Sequence, residues 1–101
     1  MDEAAFDNAM MRNYNRARDE LGINARGYLA MLNEYRGLET ARRLINAAKP
    51  SDGYTDLWEC GRLDLSVEAL VLQPEWASLF AQEPELLQKA RKRLAEFNYQ
   101  G

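Results

Sequence analysis

Pro50-Ser51-Asp52-Gly53-Tyr54-Thr55-Asp56-Leu57-Trp58-Glu59-Cys60-Gly61-Arg62-Leu63-Asp64-Leu65-Ser66-Val67-Glu68-Ala69-Leu70-Val71-Leu72-Gln73-Pro74-Glu75-Trp76 is the stretch that decides how this chain folds. Its apolar residues fall three and four apart, the period of a helix face, and its turn residues sit between them. The residue before Pro50 is steered out of the helical region, and Ser51-Asp52-Gly53 is a turn signature. Tyr54, Leu57 and Trp58 then mark a short helix that Gly61 ends. Asp64 or Ser66 starts the next helix, through Val67, Leu70, Val71 and Leu72, because either side chain can accept from an otherwise orphaned backbone N–H. Pro74 suits the first position of a further short helix presenting Trp76, Leu79 and Phe80. The block reads as a helical packing unit and not as a catalytic one.

The same periodicity extends outward in both directions. Phe6, Met10, Tyr14, Ala17 and Leu21 form one apolar stripe, with Asp2 as its cap and Gly22 at its end. Asn24 is the expected cap of a second helix whose buried face is Tyr28, Met31, Leu32 and Tyr35. Gly27 inside it costs roughly 1 kcal/mol against Ala, so close backbone packing is its expected reason. Gly37 breaks or bends that helix, and Leu38, Ala41, Leu44, Ile45 and Ala48 mark the next. Glu83-Pro84-Glu85 opens the last, with Leu86, Leu87, Ala90, Leu94 and Phe97 as its apolar face. Only residues 63 to 67 alternate with period two, too few for a strand without a partner. The expectation is therefore an all-α, compact, single-domain bundle of about six or seven short helices over residues 1–101.

Composition narrows the function classes. The 101 residues are 47 % apolar, enough for one modest core. Met1-Asp2-Glu3 does not resemble a signal peptide, no apolar run approaches a membrane span, and the single cysteine fits a reducing cytoplasm. The net charge is −3, but the distribution is uneven. Residues 52–85 hold eight acids and one base, while Lys89, Arg91, Lys92 and Arg93 cluster near the end. Solvated helix faces and helix-end dipoles account for such charges, and so does an acidic surface that meets a basic partner.

Catalytic readings are thin. There is no histidine, the residue most used for proton transfer at neutral pH. Asp52, Asp56 and Glu59 share a helix side, yet a cation needs about six oxygens, usually from a loop or several elements. Cys60 has no histidine to make it a thiolate and reads as a small buried residue at a helix end. The candidate recognition helix at residues 67–72 has one charge, a negative one, and lacks the side chains that read base edges, so direct DNA readout is excluded. No cofactor is implied. Both tryptophans read first as core anchors, since a large ring buries the most area. Trp76 is the stronger of the two as an interface residue.

Residues 39–46, 49–59 and 61–72, with the tail 90–99, resemble a block found in small bacterial and phage-borne helical proteins. Among these it is similar to a family of type I-F anti-CRISPR inhibitors of about this size. That resemblance implies a phage or mobile-element protein acting in the infected bacterium, and a monomer in the host cytoplasm is expected. It would bind the RNA-guided surveillance complex near the junction of its large subunit and a backbone subunit, and block target DNA. Such complexes hold nucleic acid in basic channels, which an acidic domain can occupy without chemistry of its own. The expected contact residues are then the acids Asp52, Asp56, Glu59, Glu68 and Glu75, with Tyr54 and Trp76 as anchors. The alternative reading is a helical protein–protein interaction domain with a different cellular partner.

Overall fold

A computed structural model describes residues 3–99. Five α-helices and two 3-10 segments follow one another, with no strand among the described residues: α1 (Glu3–Leu21), α2 (Arg26–Asn46), α3 (Asp52–Glu59), a 3-10 turn (Leu63–Leu65), α4 (Val67–Val71), a 3-10 segment (Pro74–Phe80) and α5 (Pro84–Glu96). The all-α expectation holds. The cap expected at Asp2 lies outside the described residues.

The stripe of α1 is buried as its spacing requires, from Phe6 through Met10 and Tyr14 to Ala17. Gly22 follows with φ +70°, the left-handed conformation that glycine adopts without strain. Asn24 does not cap α2. Ala25 holds that position with no side-chain cap, and the Asn24 amide oxygen instead accepts the Tyr14 hydroxyl at 3.2 Å. The break expected at Gly37 is present one residue earlier. Arg36 leaves the helix with φ 67° and ψ −176°, a region normally reserved for glycine. Asp7 of α1 holds the break, accepting from the Gly37 amide at 2.7 Å and from the Arg36 guanidinium, whose Nε lies 2.9 Å away. Gly37 is where backbones crowd, since a Cβ there would meet Asp7 Oδ1 at 2.8 Å and Phe6 Cδ2 at 2.9 Å. Gly27 has open space instead, so the expectation of close packing there is wrong.

The helix after Gly61 starts at Ser66, whose hydroxyl accepts from the Ala69 amide at 3.2 Å, while Asp64 sits in the preceding 3-10 turn. This helix, α4, is the centre of the molecule. Val67, Glu68, Leu70 and Val71 are all buried, and α2, α5 and both 3-10 segments pack around it. A helix covered on all sides has no face to offer a DNA groove. The segment after Pro74 is 3-10 and not α, which turns Trp76 and Phe80 inward on a short path.

Two apolar clusters result. One joins the first half of α1 to α2, α4, α5 and the Pro74–Phe80 segment, with Phe6, Trp76 and Phe80 in edge-on contact at 5.3 and 5.4 Å. The other gathers Ala17, Ile23, Tyr54, Leu57, Leu63 and Leu65 around the end of α5.

Candidate functional site

α3 is a clear amphipathic turn of chain. Ser51 caps it, its hydroxyl accepting from the Tyr54 amide at 3.1 Å. Tyr54 and Leu57 face inward, and Asp52, Asp56, Trp58 and Glu59 face solvent. The spacing of four and three that unites the three acids therefore does put them on the outer side of one helix.

These acids differ from most others in the chain. Asp7, Glu20, Glu39, Asp64, Glu68 and Glu83 each lie in an ion pair with an arginine. Among the described residues, Asp52, Asp56, Glu59 and Glu75 form none. Asp52 gains from the positive end of α3, and Glu75 stands similarly in the first turn of its segment. Asp56 and Glu59, toward the negative end of α3, have no such compensation.

Three of the seven expected contact residues are interior. Tyr54 is packed in the second cluster, its ring edge-on to Phe97 at 5.0 Å and its hydroxyl donating to the Arg93 carbonyl at 3.3 Å. Trp76 is 6 % exposed, wedged against Phe6. Glu68 is buried in α4 and pairs with Arg93 at 3.0 Å. None of these can be reached by a partner on this fold. Glu75 is exposed but belongs to the segment that packs on α4 and α5, not to α3. The surface that remains is α3 itself.

Trp58 and Cys60 also reverse their expectations. Trp58, read as core, is 46 % exposed, the one exposed large hydrophobic side chain among the described residues, and rests edge-on against Phe97 at 5.4 Å. Cys60, read as buried, is exposed at the end of α3. Both follow from one fact. α3 is only eight residues long and packs on one side, so its last residues pass beyond the core. The signal was available: a residue three short of a helix-ending glycine has few neighbours to cover it.

Arg93, one of the bases near the chain's end that helix-dipole complementarity accounts for, is instead a clasp. Its guanidinium donates to Glu68, to the Leu44 carbonyl at 3.1 Å and to the Ala47 carbonyl at 2.6 Å, closing the end of α2 against α4 and α5. Burial pushes the Glu68 carboxyl above its ordinary value, and the Arg93 hydrogen bond opposes this only in part. Burial likewise raises the Tyr28 phenol, which donates to the Met10 carbonyl at 2.8 Å. Beside Glu68, Asn13, Tyr28, Tyr54 and Ser66 line a cavity of about 50 Å³. Ligand pockets run to roughly 300 Å³ and above, so this cavity suits ordered water and not a substrate.

Among the described residues no three of His, Cys, Asp or Glu are grouped to hold a metal ion, and no helix is long and apolar enough to cross a membrane. Comparison with protein-family models, with curated proteins and with solved structures returned no match.

Proposed function

We propose that the protein is a non-catalytic inhibitor that binds a type I-F RNA-guided surveillance complex and obstructs its target DNA. The partner comes from the resemblance of residues 39–72 and 90–99. The surface comes from α3, and the observation that bears this reading is the unpaired state of its outward acids beside a half-exposed tryptophan. An acidic, rigid face of this kind suits a basic channel: its charges hasten encounter, and the desolvated ring sets residence time. The proposed obstruction is steric and electrostatic and asks no bond-making or bond-breaking of any side chain. The protein acts as a monomer on the junction of the large subunit and a backbone subunit.

The test is direct. Purified type I-F complex and labelled target DNA, mixed with excess protein, should show reduced DNA binding in a gel-shift assay. Unchanged binding rejects the proposal. Reversing Asp56 and Glu59 to Lys should slow association at low salt, with stability altered by no more than about 0.5 kcal/mol. The broader reading, a helical interaction domain with another cellular partner, draws on the same exposed Trp58. It is favoured where the double reversal leaves the association rate with the complex unchanged.

A further inference from the structure

The outer end of α3 meets the end of α5, and between them runs a groove of about 240 Å³ lined by Trp58, Gly61, Leu63, Phe97, Asn98 and Tyr99. Its walls are aromatic. The exposed indole of Trp58 stands edge-on to Phe97, and Tyr99 completes the rim.

Its ends are electronegative. α3 closes with the Arg62 amide on the Leu57 carbonyl at 2.8 Å and the Gly61 amide on the Trp58 carbonyl at 3.0 Å. α5 closes in the same manner, Tyr99 on Leu94 at 2.9 Å and Asn98 on Ala95 at 3.0 Å. Gly61 and Asn98 both take positive φ, the left-handed residue of this helix ending. Two helix C-termini, each with partial negative charge, thus converge on one aromatic groove. Glu59 and Glu96, the chain neighbours of the lining residues Trp58 and Phe97, are exposed and outside any ion pair among the described residues, and add full negative charge to the two helix ends.

Among the described residues no base serves it. No Lys or Arg lines the groove. Arg62 is bound to Glu20 and Asp64, and Arg93 to Glu68 and the end of α2. Elsewhere the protein places its own cations over aromatic rings, Arg43 over Tyr35 at 3.9 Å and Arg18 over Tyr14 at 5.7 Å. Among the described residues no cation stands over Trp58, the ring type that attracts cations best.

We infer that this groove receives an arginine side chain presented by a partner protein. An apolar occupant would waste the two helix ends and the acids, and a nucleic acid would be repelled by them. A planar guanidinium matches an indole face and the partial negative charge of the two helix ends, which the compact, strongly hydrated ammonium of lysine does less well. The inference rests on the protein-binding reading above and names the chemistry that reading leaves open.

Calorimetric titration of the purified protein with a synthetic arginine–glycine peptide tests it, beside the same peptide with citrulline, which keeps the shape and loses the charge. The arginine peptide should bind saturably, and the citrulline peptide roughly tenfold more weakly or worse. Trp58→Leu should abolish binding while melting cooperatively, and Glu59→Gln should weaken it. No saturable heat, equal binding of both peptides, or full binding by Trp58→Leu overturns the inference. The DNA-obstruction assay separates the two proposals. Full obstruction by Trp58→Leu sinks the groove and leaves the inhibitor standing. A parent protein that binds the arginine peptide but never obstructs DNA sinks the inhibitor and leaves the groove.

Discussion

The two tryptophans stand in the same kind of local sequence and meet opposite fates. Trp76 closes the large cluster, under α1, with two phenylalanines in edge contact behind it. Trp58 caps the small cluster, at the free end of a short helix, with one ring beside it and water on the other side. Each lies on a helical face beside apolar neighbours three or four residues away, so period alone cannot separate them. The separating quantity is what crosses over each segment from elsewhere in the chain. At the Trp76 end it is the first half of α1, held close by the contact of Gly37 with Phe6 and Asp7. At the Trp58 end only the end of α5 arrives, with Phe97 against one side of the ring.

The sharpest way to break this contrast is at Trp76. Trp76→Ala should cost about 3–5 kcal/mol in urea unfolding, the usual loss for a large buried ring. A loss near that of an exposed residue would mean that the first cluster is not as closed as described. Next is the clasp between the two clusters. Arg93→Leu leaves Glu68 buried without a partner and should cost about 3–5 kcal/mol at neutral pH.

That second loss has a pH signature. The Glu68 carboxyl is already raised above its ordinary value of 4.5 by burial, and removing Arg93 raises it further. A raised folded-state value means the protonated form is the one the fold prefers. The contribution to stability is full below pH 4.5 and is lost as pH climbs through the raised value. The deficit of Arg93→Leu relative to the parent should therefore shrink on acidification. A deficit independent of pH would show that the carbonyl contacts of Arg93, not its carboxylate partner, matter most.

Smaller effects sharpen the comparison. Gly37→Ala should lose about 1–3 kcal/mol by forcing α1 off α2, a crowding penalty that bears on the Trp76 end alone. Trp58→Ala should cost about 1 kcal/mol, since only part of the ring leaves water. Acrylamide quenching gives the same ordering without mutation: Trp58 should be quenched readily and Trp76 hardly at all. Equal accessibility of the two would dissolve the distinction.

Much of the architecture is legible in the residues alone. Gly22, Gly61, Ser66, Pro74 and Pro84 act where their backbone chemistry says they should, because caps and helix ends are decided by groups a few residues apart. The break near Gly37 was visible for the same reason. The candidate surface was legible only in part. Asp52, Asp56 and Glu59 share an exposed side because helix period alone sets that. Glu68 and Tyr54, expected at the contact surface, are interior, and Trp76 is the core anchor it first reads as and not a contact residue; the burial of all three depends on Arg93, Phe97 and Phe6, which lie 25 or more positions away in the chain.

The residues by themselves determined the helical class, most element boundaries and the outward acids of α3. These follow from backbone geometry and spacing within one turn, and no distant contact is needed to enforce them. Only the tertiary structure decided which tryptophan is covered, which carboxylate is paired and where two helix ends meet to form an aromatic groove. Each of those depends on segments that pack together only when the whole chain closes, and solvent exposure belongs to that closed surface, not to any single residue.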